Sequence, residues 1–128
     1  MTFRTVAATM VVVTLAVTGS VVAAEKMAAK EEKKASAVQG EVLDLACYLG
    51  HGAMGEGHIA CATKCLKGGQ PMGLLGTDGT VYILLADHGD ASAFEKTKGF
   101  AGKKVEISGE VSTKDGLKAI TIAGVKAL

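Results

Sequence analysis

The hydrophobic pattern changes character three times along the chain. Val6 to Val22 is apolar apart from Thr9, Thr14, Thr18, Gly19 and Ser20. Residues 25–38, EKMAAKEEKKASAV, are charged and Ala-rich with only a thin apolar face. From Gly40 the period becomes two. Leu43, Leu45, Cys47 and Leu49 fall on one side and Asp44 and Tyr48 on the other, which predicts a first strand running through Leu49. A Gly-rich stretch, Gly50 to Gly57, follows. His58 to Lys67 then reads as a helix, stopped by Gly68-Gly69 and carrying Lys64 and Lys67 in its last turn. Met72 to Leu75 and Thr80 to Leu85 are strands joined through Gly76-Thr77-Asp78-Gly79, and Asp-Gly is a strong hairpin signal. Asp87 to Asp90 is a loop whose Asp residues suit the N-cap of a short helix over Ala91 to Lys98. Lys103 to Ser112 alternates again, Val105, Ile107 and Val111 against Lys104, Glu106 and Glu110. After Lys114-Asp115-Gly116 the last strand runs from Leu117 to Val125.

The predicted order is strand, inserted helix, strand, strand, short helix, strand, strand. This is an all-β chain with the order of an OB-fold, a five-stranded Greek-key barrel. The Cys/His-bearing helix falls between strands 1 and 2, and the short helix between strands 3 and 4. Gly109 fits the bend or bulge such a barrel needs. Another small barrel or a two-layer α+β domain is the competing architecture.

The N-terminal pattern divides the chain into a leader (1–24), a solvated spacer (25–38) and one folded domain (39–128). Arg4, the apolar run and the small residues at Val22-Ala23-Ala24 make a secretory signal with cleavage before Glu25. The rival is an uncleaved anchor, which calls for about 20 apolar residues uninterrupted by Gly19-Ser20. The spacer has a rival too, a short helix packed on the domain. Cleavage places the mature chain in the periplasm or outside the cell, with no membrane attachment, where thiols are usually paired or metal-bound.

Charge narrows the function. The chain has 14 Lys plus Arg and 13 Asp plus Glu. Loss of Arg4 with the leader leaves 13 of each, so a nucleic-acid partner held by bulk charge is excluded. With no Trp, two Tyr and three Phe, a stacking platform for bases or sugars is poorly supplied. There is no G-x-S-x-G, no H-E-x-x-H and no phosphate-binding Gly-Lys loop, so hydrolytic catalysis has no carrier.

The chemistry concentrates in Cys47, His58, Cys61 and Cys65, spaced C-x10-H-x2-C-x3-C. On a helix, positions 58, 61 and 65 lie within ~60° of one another. With Cys47 brought opposite by the Gly-rich loop, the four make a Cys3His metal site. Thiolates with imidazole suit zinc; thiolates with the flanking Met54 and Met72, and with His51, suit copper. Iron–sulfur chemistry fits an oxidising compartment poorly. Two rivals stand beside the metal. One is a disulfide from Cys47 to Cys61 or Cys65, worth ~3 kcal/mol, clipping an interaction module and leaving an odd thiol. The other is a thiol-redox protein in which His58 lowers the pKa of a nucleophilic Cys. His51 reads as a solvated loop residue and His88 as a neighbour of the capping Asp87 and Asp90. Met72 and Leu74 read as barrel core.

The run from Cys47-Tyr-Leu through His58-x-x-Cys61-Ala-x-x-Cys65 to Leu75 resembles a segment of small exported bacterial proteins of unassigned function. The strand order after Gly40 resembles bacterial OB-fold domains. That resemblance implies an exported barrel over about residues 40–126. Other exported OB-fold proteins handle copper or haem; their ligand motifs are not matched position by position, so no residue is carried over. The expectation is an exported protein holding one zinc or copper ion, structural or carried, with the metal and a second periplasmic protein as partners.

Overall fold

The computed structural model describes residues 34–128. The leader (1–24) and residues 25–33 of the expected spacer lie outside the described residues. The elements are β1 (Lys34–Asp44), α1 (Leu45–His51), a 3-10 turn (Glu56–His58) and α2 (Ile59–Lys67). They continue with β2 (Met72–Gly76), β3 (Val81–Ala86), α3 (Ser92–Thr97), a second 3-10 turn (Lys98–Phe100), β4 (Lys104–Lys114) and β5 (Leu117–Ala127).

The five strands close into a barrel in the order β1-β2-β3-β5-β4, with β4 returning to β1. Every pairing is antiparallel except β3 with β5. Closure leaves no strand of the barrel with one side wholly unpaired. β1 is the shared wall: residues 40–44 pair with β2 and residues 34–41 with β4.

The turns form where their residues demand. The Asp78 carboxylate accepts from the Thr80 amide at 2.9 Å and from the Thr80 hydroxyl at 3.0 Å, fixing the β2–β3 hairpin, and Gly79 supplies φ +80. Asp115 and Gly116 take φ 50 and 85, the paired left-handed geometry of a two-residue hairpin loop. Gly109 sits at a register shift between β4 and β5, and a Cβ there would strike the Thr121 carbonyl. Asp90 accepts from the Ser92 amide at 2.8 Å just ahead of α3, one residue before the N-cap, Ala91, where the sequence placed a capping Asp.

Two expectations are corrected. First, β1 starts at Lys34, inside the segment expected as spacer. Apart from Val38, Lys34 to Gln39 are polar or small, but they pair in register with Glu106 to Val111 of β4, and that tertiary ladder overrides their weak local preference. Second, the first strand ends at Asp44, and Leu45–His51 is helix instead of strand. The Asp44 side chain accepts from the Ala46 amide at 3.0 Å and turns the chain into α1. Gly52 closes α1 in the left-handed conformation, φ 66, donating back to the Tyr48 carbonyl at 2.8 Å. The apparent period-two face therefore splits: Leu45 is 7% exposed and Leu49 77%. The insertion between β1 and β2 thus carries two helices and a 3-10 turn where one helix was expected.

The core runs through the barrel: Val42, Leu74, Val105, Ile107 and Ile120 have no exposed surface, and Met72 belongs with them. α2 adds Ala62 and Leu66, one turn apart, to the same cluster. Leu66 is wholly buried, so Leu66→Ala should lower unfolding free energy by about 2–5 kcal/mol. The exposed neighbour Lys67→Ala should change it by less than about 0.5 kcal/mol. Urea denaturation of the two variants checks both values.

Candidate metal centre

The three cysteines reach one point from two helices. Cys47 lies in α1, while Cys61 and Cys65 lie one turn apart on α2. The direction of the α2 pair follows from packing. Ala62 and Leu66 are buried, and each cysteine is the residue before one of them, about 100° around the helix. Burying the Ala62/Leu66 stripe therefore turns the Cys61/Cys65 stripe to the flank of the barrel. Cys61 is exposed; Cys47 and Cys65 are half-buried; all three are free thiols.

The three sulfur atoms lie within 4.8 Å of one another, close enough to hold a metal ion. Sulfurs bound tetrahedrally at ~2.3 Å stand about 3.8 Å apart, so about an ångström of adjustment at most separates this cluster from a coordination geometry.

A second group shares Cys47. A carboxylate oxygen of Asp44, the Cys47 sulfur and an imidazole nitrogen of His58 also lie within 4.8 Å of one another. His58 closes the 3-10 turn just before α2, its amide bonded to the Gly55 carbonyl at 3.0 Å. His58 thus stands with Cys47, and its group does not extend to Cys61 and Cys65. Asp44 is the member that the sequence reading missed. The alternation places it on the polar face of a strand, whereas it is 1% exposed at the β1–α1 junction. The signal was present: an Asp seven residues ahead of His51-Gly52 has the spacing of a capped two-turn helix. His51 and His88 are exposed and belong to neither group. Met72 is in the core, and Met54 is half exposed.

The electrostatics of the site centre on Asp44. Burial pushes its carboxyl pKa up, but the Cys47 and Cys65 thiols directed at it and the amides of Ala46 and Cys47 outweigh this and hold it below its ordinary value. The reciprocal effect falls on the thiols. Cys47 is pushed up to about 12, chiefly by its interaction with the Asp44 carboxylate and then by desolvation and charge. Cys65 is raised by burial, then by Asp44 and Cys61. None of these contacts completes a hydrogen bond to Asp44 Oδ2, which remains buried without a partner, as does His58 Nε2.

These shifts bear on the chemistry available. A nucleophilic or redox-active cysteine needs a depressed pKa and an electropositive setting. Cys47 and Cys65 have the reverse, a carboxylate neighbour and a raised pKa. A metal ion binding here would have to displace the thiol protons against these raised values, so its affinity should climb with pH.

The sign of the pH dependence follows. Cys47 has an ordinary value of 9.0 and is raised in the fold, so its contribution to metal-free stability is present below pH 9 and is lost as pH rises toward 12. Asp44 has an ordinary value of 3.8 and is lowered in the fold, so its contribution is present above that pH and is lost as pH falls below it. Urea denaturation in the presence of a chelator should therefore show stability declining on both flanks. Asp44→Asn, which keeps a capping oxygen, should flatten both slopes; slopes unchanged in that variant would contradict the assignment.

No protein-family model, curated protein or solved structure was found to match this chain.

Proposed function

We propose that this protein is an exported metal-binding domain of OB-fold-like architecture that holds one thiophilic transition-metal ion, zinc or copper, through Cys47, Cys61 and Cys65, with His58, which stands beside Cys47 and outside the three-thiol group, moving in as the fourth ligand. The observation that carries this reading is the convergence of three thiols within 4.8 Å from two separately anchored helices. Three thiols meeting by chance on a neutral surface would have no use for the Gly-rich connection that brings α1 and α2 together. The order β1-β2-β3-β5-β4, with a helix-bearing insertion after β1 and α3 between β3 and β4, supports the OB-fold-like description. The leader-like residues 1–24 support export to the periplasm or beyond.

Carriage of the ion suits the site better than a scaffold role. The barrel has its own apolar core, from Val42 to Ile122, and does not depend on the site for burial. Cys61 is exposed, so an ion can be delivered and withdrawn at the rim while the barrel stays folded. A second periplasmic protein that exchanges the ion is the partner this implies. The thiol-redox alternative is disfavoured by the raised Cys47 and Cys65.

The purified chain should bind one equivalent of Zn(II) or Cu(I). Cys61→Ser and Cys65→Ser should each abolish stoichiometric binding, and His58→Ala should weaken binding of Zn(II). Competition with a chromogenic chelator reads this out. Chelation should leave the far-ultraviolet circular dichroism of the sheet in place. Loss of the sheet signal would point to a scaffold metal, and failure of the wild type to bind either ion would overturn the reading.

A further inference from the structure

Among the described residues, two buried side-chain polar atoms lack any hydrogen-bond partner: Asp44 Oδ2 and His58 Nε2. Their residues belong to the same small group, in which a carboxylate oxygen of Asp44, an imidazole nitrogen of His58 and the Cys47 sulfur lie within 4.8 Å of one another. One atom is an obligate acceptor. The other is a donor in one imidazole tautomer. Buried polar groups are almost always paired, so two complementary orphans on residues of one group mark an interaction left open.

Both residues are held in place by backbone contacts. Asp44 Oδ1 is tied to the Ala46 amide at 3.0 Å, which fixes the direction of Oδ2. His58 is fixed by its amide bond to Gly55 and by its position at the start of α2. A histidine that ligates a metal commonly donates its other ring N–H to a carboxylate, and this sets the tautomer and aims the ring.

The chemistry of the ions gives the pair a purpose. Soft Cu(I) is satisfied by thiolates alone, whereas Zn(II) takes four ligands tetrahedrally and readily includes an imidazole. Three cysteines serve both ions; only the second benefits from His58. Resting on the reading of Cys47, Cys61 and Cys65 as metal ligands, we propose that Asp44 and His58 form an arm that selects a divalent, four-coordinate ion of the Zn(II) class over Cu(I). In this arm Asp44 Oδ2 accepts from His58 Nε2–H, and Nδ1 is the nitrogen offered to the ion. Asp44 is thus a positioning residue acting through His58.

The test compares Zn(II) and Cu(I) affinities of the wild type, Asp44→Asn and His58→Ala, each by chelator competition. Asn retains the cap oxygen of α1 but turns an N–H toward His58, so it removes the acceptor with little change to the helix. Asp44→Asn should weaken Zn(II) binding by about 10–100-fold, and His58→Ala by at least as much, with no loss of Cu(I) affinity in either. Retained Cu(I) binding certifies the fold and the thiolate triad in the same samples. In zinc-loaded wild type, nitrogen-15 histidine spectra should show Nδ1 on the metal and Nε2 protonated. Equal losses for both ions, no loss of Zn(II) affinity in either variant, or Nε2 on the metal would overturn the arm. A wild type that binds neither ion would overturn the underlying thiolate reading as well, a result distinct from all of these.

Discussion

A buried carboxylate at the end of a strand organises the cysteine-bearing end of this molecule. Asp44 is 1% exposed, a costly position for a charge unless other groups are arranged around it. One oxygen caps α1, and the cap is what turns the chain out of the barrel and places Cys47 on a helix. The carboxylate also faces the Cys47 and Cys65 thiols, so it links α1 to α2 electrostatically although the two helices are separated by a Gly-rich connection. A hydrophobic residue at position 44 would remove the cap, and the period-two pattern that follows would then favour continuing the strand. The cysteines would lose their meeting point.

The second constraint comes from the core. α2 has two adjacent stripes one turn long, Ala62/Leu66 and Cys61/Cys65. The barrel interior claims the first, since Leu66 and Ala62 are packed with Met72, Val105 and Ile122. The rotation of the helix is thereby set by apolar burial, and the sulfurs inherit their direction from it. Asp44 positions one side of the cluster from β1 and Leu66 positions the other from the core. The three sulfurs are thus brought together by the fold itself, before any ion is present.

What could be read in the sequence follows the range of the interactions involved. The two hairpins, the Gly109 bulge, α2 and α3 were legible because each depends on residues a few positions apart: Asp78-Gly79, Asp115-Gly116, Gly68 after Lys67, Asp90 before Ser92. The elements that differed depend on distant partners. Lys34 to Gln39 become strand because β4 pairs with them, and nothing in KASAVQ announces that ladder. Leu45 to His51 satisfied a period-two reading as well as a helical one. The choice between them lay in Asp44 and Gly52 acting as caps, a signal masked by the alternation. The candidate site was legible as a set of cysteines and one histidine because soft ligands are rare and their clustering stands out. Asp44 was not, because a single acidic residue beside an apolar strand is ordinarily solvent-facing, and its burial becomes visible only once the barrel is closed.

The central claim, that three sulfurs and one imidazole share an ion, is tested most directly by X-ray absorption at the metal edge of the metal-loaded protein. The account predicts three sulfur scatterers at ~2.3 Å and one nitrogen at ~2.0–2.1 Å for zinc. A shell of oxygen and nitrogen alone, or a protein that takes up no metal and has two of its three thiols joined in a disulfide, would contradict it.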